Sequence, residues 1–165
     1  MPHRVYIGIG SNLGDRRANT LEAVERVSKL PGTRLARASS FYESEPLGDA
    51  KTWFVNSVIE VETEFPPEAL LRRLKAIEAA MGRKRVKGKR WGSRVIDLDI
   101  LFCDQDVVEK PSLKIPHPEL HKRRFVLLPL AELAPQLIHP QLGQSVSGLL
   151  ATLKDEKRVT LLPRA

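Results

Sequence analysis

The chain has 165 residues, 42% of them hydrophobic. That suits one domain with a buried core, expected to span residues 1–165, and argues against disorder. A net charge of +7 favours an anionic partner, and a single cysteine, Cys103, excludes an internal disulfide and fits a reducing compartment. The opening MPHRVYIGIGSN lacks the long apolar region of a signal peptide. No apolar run approaches the ~20 residues needed to span a bilayer, so a cytoplasmic protein without a membrane partner is expected.

Arg4 to Gly10 reads as a strand rich in β-branched and aromatic residues. The turn Ser11-Asn12-Leu13-Gly14-Asp15 can cap a following helix over Arg16–Leu30, with Leu21, Val24, Val27 and Leu30 as its apolar stripe. Pro31-Gly32 stops it. Thr33 to Ser44 reads as a second strand and Trp53 to Thr63 as a third, joined by a loop too long for a tight turn. Pro66-Pro67-Glu68 opens the clearest helix, striped by Leu70, Leu71, Leu74, Ile77 and Met81 and ended by Gly82. A basic loop and an apolar strand follow. The order β-α-β-β-α-β predicts an α+β, ferredoxin-like core, an antiparallel sheet with both helices on one face. Beyond it, Val107-Val108 suggests a short edge strand, Arg124–Leu133 and Val146–Leu153 suggest C-terminal helices, and Val159–Leu162 suggests a last strand.

The most informative stretch is Arg83 to Leu101. Arg83, Lys84, Arg85, Lys87, Lys89, Arg90 and Arg94 come with no acidic residue between them. Asp97 and Asp99 then interrupt an apolar strand. Residues two apart in a strand share a face, roughly 6.5 Å apart. The carboxylates therefore project side by side, while Ile96, Leu98, Ile100 and Phe102 are expected on the opposite face. Such a pair repels itself unless a cation sits between, and a hard divalent ion with oxygen ligands removes the conflict. The bland alternative, an edge strand with a wet face, is weakened by Val95 and Leu101 flanking the pair. The cations fit electrostatic capture of phosphates. Gly82, Gly88 and Gly92 let the loop bend, and Trp91 suits a surface that closes over something flat. A basic, aromatic loop is also compatible with RNA binding.

Three other features are weaker. Ser11 to Gly14 follows a strand and precedes a helix, but Gly8, Gly10 and Gly14 do not match a dinucleotide fingerprint. Asn56, mid-strand among apolar residues, is either a satisfied core amide or a reader of a heterocycle's amide edge. His117 is fixed between Pro116 and Pro118 near Lys122, Arg123 and Arg124. His3 and His139 carry no argument alone.

The run Arg90-Trp91-Gly92-Ser93-Arg94-Val95-Ile96-Asp97-Leu98-Asp99-Ile100-Leu101 strongly resembles the signature of the 6-hydroxymethyl-7,8-dihydropterin pyrophosphokinases. The resemblance takes in Tyr6–Gly14, Ser40–Gly48, Phe54–Ser57, Glu78 with Gly82-Arg83, Ile115–Pro118 and Arg123–Phe125, in order. It implies a ferredoxin-like enzyme of folate biosynthesis that moves the terminal pyrophosphoryl group of ATP to a pterin hydroxymethyl group, releasing AMP. It implies two magnesium ions (Mg2+) on Asp97 and Asp99. Carried over by position, Arg83 and Arg94 stabilise the triphosphate and transition state. Arg90 and Trp91 belong to a loop closing over the site. Ser44, Leu47, Phe54, Asn56 and Phe125, with Trp91, match the pterin pocket, and Glu78, His117 and Arg123 match nucleotide contacts. Pro118, Ser112 and Lys114 depart from residues that other members place near the nucleotide, and the basic loop is one residue longer before Arg90.

The expected partners are small molecules, ATP and a reduced pterin, with no nucleic acid, and a monomer suffices. A small basic RNA-binding module is the competing expectation. Asp97-Leu98-Asp99 speaks against it, because paired carboxylates repel a phosphate backbone.

Overall fold

The computed structural model describes residues 2–46, 52–82 and 94–163. Leu47, Arg83, Arg90 and Trp91, with most of the basic run, lie outside the described residues. Strand β1 (His3–Ser11) leads into helix α1 (Arg16–Ser28). Asp15 caps that helix by accepting a hydrogen bond from the Ala18 N–H at 3.1 Å. Strands β2 (Thr33–Ala38), β3 (Tyr42–Ser44) and β4 (Phe54–Thr63) follow, then α2 (Pro67–Ala80) and β5 (Asp97–Cys103). Gly82 takes φ +88° just beyond α2, a backbone conformation that favours glycine.

The main sheet runs β5-β1-β4-β3, with β2 also on the β4 edge, and its paired strands are all antiparallel. This is the ferredoxin-like order expected from the sequence. β1 and β4 are its central strands, and each alternates between two faces. Val5, Ile7 and Ile9 of β1 join Ile59 and Val61 of β4 and the buried sides of α1 and α2: Ala23, Val27, Leu70, Leu74 and Ile77. Tyr6 and Val58 face the other way, onto Leu127, Leu130 and Leu133 of α3 (Arg124–Leu133) and Val146 and Leu149 of α4 (Val146–Ala151). The C-terminal helices therefore make a third layer and cover part of the face that a bare ferredoxin-like core leaves open. β8 (Val159–Leu161) extends the sheet beyond β3.

Four details differ from the sequence expectation. The second strand is broken into β2 and β3. Ser39 turns inward there, its Oγ accepting from the Val58 N–H at 2.9 Å. The Ser40 N–H and the Tyr42 hydroxyl donate instead to the Glu132 carboxylate on α3, at 3.0 and 2.7 Å. Leu21 is exposed at 55%, and α1 buries Thr20, Ala23 and Val27, so its packed stripe is displaced around the helix. The expected Val107-Val108 edge strand is β6 (Val108–Lys110), paired with an unforeseen β7 (Leu113–Ile115) in a separate hairpin.

The fourth difference lies in the Asp strand. Tyr6 pairs with Phe102 but Ile7 pairs with Ile100, leaving Leu101 as an extra residue. A bulge shifts the alternation beyond it. Phe102 therefore joins Leu101 on the α3/α4 side, rather than Ile96, Leu98 and Ile100 on the α1/α2 side. Asp97 and Asp99 precede the bulge, so their shared face is undisturbed.

Candidate active site

Strand register assembles the site from distant segments. Gly10 pairs with Asn56 on one side and Asp97 on the other, while Gly8 pairs with Val58 and Asp99. Side chains opposite one another in paired strands share a face. Two rows thus cross the sheet, Asn56–Gly10–Asp97 and Val58–Gly8–Asp99, each with a missing side chain in the middle. The glycines form the floor of a cleft of about 500 Å³ that also meets Ser44, Phe54, Leu101, Arg123 and Phe125. A Cβ on Gly10 would lie 3.2 Å from Asn56 Oδ1 and 3.5 Å from Phe54 Cδ1. This role for Gly8 and Gly10 was missed in the sequence. The available signal was their alternation with Tyr6 on the same face as the carboxylates.

Gly10→Val is therefore expected to weaken binding of the pterin that the sequence resemblance implies by about tenfold or more, roughly 1.4 kcal/mol, with binding of the implied ATP largely kept. Calorimetric titration with each ligand checks this. Equal pterin affinity in the variant would remove Gly10 from the floor.

At the inner end of the cleft, Asn56 is 5% and Ser44 2% exposed. The Asn56 Nδ2–H donates to Ser44 Oγ at 2.5 Å. That bond uses one amide hydrogen and orients Asn56 Oδ1 toward the Gly10 side. Phe54 and Phe125 reach the same cleft from β4 and α3.

A second cleft, of about 340 Å³, opens off the β5 edge between Lys75 and Glu78 of α2 and Ser112 and Lys114 of the β6–β7 hairpin. Asp97, Asp99, His117 and Pro118 line both clefts. The two spaces meet at the carboxylate pair. Glu78 is buried, and its Oε2 accepts from the Leu98 N–H at 2.8 Å. It thereby holds the backbone between the two aspartates. Arg123 lies on the first cleft, while Glu78 lies on the second.

Arg94 is the last residue of the basic run. Its Nε is 4.0 Å from Asp97 Oδ2, and its side chain is 12% exposed. Asn12, almost fully buried, fixes the Arg94 backbone reciprocally: Oδ1 accepts from the Arg94 N–H at 2.5 Å, and the Asn12 N–H donates to the Arg94 carbonyl at 2.9 Å. Asn12 Nδ2 also donates to the Thr52 carbonyl at 3.3 Å. The turn after β1 is thus a clamp on two segments entering the site, which the sequence showed only as a structural turn.

Burial, with Arg123 second, pushes His117 down from 6.5 to about 4. The ring is neutral at pH 7. His117 Nδ1 accepts from the Glu119 N–H at 3.1 Å, so the proton belongs on Nε2. The site therefore presents a neutral imidazole donor beside the carboxylates.

The residues present fit divalent magnesium. Asp97 is half-buried and Asp99 exposed, both offer hard oxygen ligands, and both face the junction where a phosphate chain could complete the coordination.

Fold and site together define a ferredoxin-like enzyme domain with two substrate-sized clefts converging on paired carboxylates. Residues 6–135 match the model of the 7,8-dihydro-6-hydroxymethylpterin-pyrophosphokinase family, and the chain belongs to that family. Relatives named 2-amino-4-hydroxy-6-hydroxymethyldihydropteridine pyrophosphokinase include one from Pseudomonas aeruginosa, 44% identical over 92% of this chain and 92% of its own. Another, from Methylorubrum extorquens, is 42% identical over 91% of this chain and 93% of its own. Among solved structures, a Plasmodium falciparum HPPK-DHPS chain superposes with a TM-score of 0.74 at 15% identity. That match covers 92% of this chain and 45% of the Plasmodium chain, so this chain spans less than half of that protein and the likeness concerns the fold. Among the described residues, no helix is long and apolar enough to cross a membrane.

Proposed function

We infer that the protein transfers the terminal pyrophosphoryl group of ATP to 6-hydroxymethyl-7,8-dihydropterin in folate biosynthesis, releasing AMP. The observation that carries the mechanism is the meeting of two clefts at Asp97 and Asp99. One cleft suits a flat heterocycle and the other a nucleotide. Phe54 and Phe125 clamp the pterin faces, while Asn56, oriented by Ser44, reads its polar edge. Leu47 is assigned to the same pocket from the sequence motif alone.

The pterin hydroxymethyl oxygen attacks the β-phosphorus in line and gives up its proton to water, while the bond from that phosphorus to the α,β-bridging oxygen breaks and AMP leaves from the opposite side. Asp97 and Asp99 would hold two magnesium ions, whose chemistry there would be neutralisation of the charge that develops on the phosphates. Arg94, held by Asn12, places a guanidinium beside that charge, and Arg83 is assigned the same role from the sequence motif alone. The neutral His117 donates through Nε2–H to a phosphate oxygen without adding charge. Arg123 contributes a cation near the same junction. Glu78 keeps the Asp97–Asp99 backbone rigid at the nucleotide cleft. Arg90 and Trp91 are assigned to closure, which excludes water and so favours the hydroxyl over hydrolysis.

The RNA-binding alternative has no support, since the carboxylate pair occupies the centre of the cleft system. A protein acting on small molecules in a reducing compartment accords with its one buried cysteine.

Incubation with the pterin, ATP and magnesium, followed by product analysis, tests the reading. AMP and the pterin pyrophosphate are expected. ADP as product, or no reaction from folded protein, would sink it.

A further inference from the structure

At the opposite end of the β1–β5 pair, a second group of ligand-bearing side chains converges. His3 enters β1, and Cys103, Asp104 and Asp106 lie where β5 ends. A ligand atom from each of the four lies within 4.8 Å of every other. Six residues of strand, about 20 Å, separate this group from Asp97. It touches neither cleft.

We propose that His3, Cys103, Asp104 and Asp106 form a structural binding site for a zinc-class divalent ion. A salt bridge alone accounts for His3 and Asp104, whose Nδ1 and Oδ2 are 2.8 Å apart. It does not account for the Asp106 carboxylate gathered at the same point, beside a Cys103 thiol that also packs in the hydrophobic core. One imidazole, one sulfur and two carboxylates make a closed four-ligand set of mixed hardness. The sulfur and nitrogen select a borderline transition ion over magnesium or calcium.

The backbone is already shaped for this arrangement. Asp104 adopts φ +51°, its N–H donates to the Arg4 carbonyl at 2.8 Å, and its Oδ1 accepts from the Arg4 N–H at 2.9 Å. The Asp106 N–H donates to the Cys103 carbonyl at 3.0 Å, closing the turn. The ion would tie the start of β1 to the exit of β5, residues a hundred positions apart in the chain. Binding replaces the Cys103 S–H bond by a sulfur–metal bond and releases one proton to water.

Cobalt(II), a coloured stand-in for zinc, tests the site in metal-free protein supplied with excess magnesium to occupy Asp97 and Asp99. One equivalent is expected to bind, with a thiolate-to-cobalt absorption band that zinc abolishes and that persists in Asp97→Asn. Folded wild-type protein without that band would overturn the proposal, as would a band surviving in Cys103→Ser. Should Cys103→Ser fail to fold because its site is buried, His3→Gln decides. That variant is expected to weaken cobalt binding by at least about tenfold while pyrophosphoryl transfer stays within about twofold. Unchanged cobalt affinity in His3→Gln would equally defeat it. The absorption readout is independent of turnover, so its failure is distinct from failure of the proposed reaction.

Discussion

Asp97→Asn and Asp99→Asn are each expected to lower turnover by about a thousandfold or more, the equivalent of roughly 4 kcal/mol of transition-state stabilisation. The argument begins with position. Both carboxylates face the junction of the clefts, and the bulge that reverses β5 comes only after them. Asparagine keeps the size of the side chain but removes the charge proposed to hold a divalent ion. The fold has little to lose. Asp97 is only half-buried and Asp99 is exposed, while the strand is secured through the Leu98 N–H bond to Glu78. Without magnesium, removing one of two like charges relieves repulsion, while Asp97→Asn also gives up the charge facing Arg94 Nε at 4.0 Å, so the variants are expected to stay folded and melt close to wild type. Steady-state assays and thermal unfolding without metal check both halves. Turnover within about threefold of wild type in either variant would remove that aspartate from metal binding.

Arg94→Ala is expected to lower kcat by about a hundredfold to a thousandfold, in the range for loss of a charge-stabilising group at a transferring phosphoryl. Pterin affinity should largely hold, because the proposed ring contacts are Asn56, Ser44, Phe54 and Phe125, while Arg94 lines the same cleft beside Asp97. The guanidinium sits close to Asp97, and its backbone is fixed at both N–H and carbonyl by Asn12. It thus arrives oriented and loses little entropy in the transition state. Arg94→Lys should recover only part of the loss, since an ammonium keeps the charge but not the planar fork. Single-turnover rates measured beside pterin binding separate the outcomes. A variant that binds pterin weakly yet reacts normally would make Arg94 a substrate-binding residue.

Much of this site was legible in the chain because its information is local. The side-by-side placement of Asp97 and Asp99 follows from the two-residue period of a strand. The end of α2 follows from Gly82, and its start from Pro66 and Pro67. Asn56 stood out as an amide in an apolar run. The functional assignment was legible through several motifs in order, and family membership bears out the enzyme reading. The misplaced features depend on partners the local pattern does not contain. Phe102 changed face because β1 pairs with β5 through a bulge. The second strand broke because Glu132, some ninety residues away, takes the hydrogen bonds of Ser40 and Tyr42. Leu21 faces water because α1 meets the sheet along Ala23 and Val27.

The sequence by itself determined the element order, the paired carboxylates and the family of the enzyme, since each resides in short-range spacing or contiguous motifs. Only the tertiary structure decided that Gly8 and Gly10 would be the floor between Asn56 and the aspartates, that Asn12 would clamp Arg94, and that His3 would meet Cys103. Those relations come from strand register and chain reversal, which join residues far apart in sequence and leave no periodic trace in either segment alone.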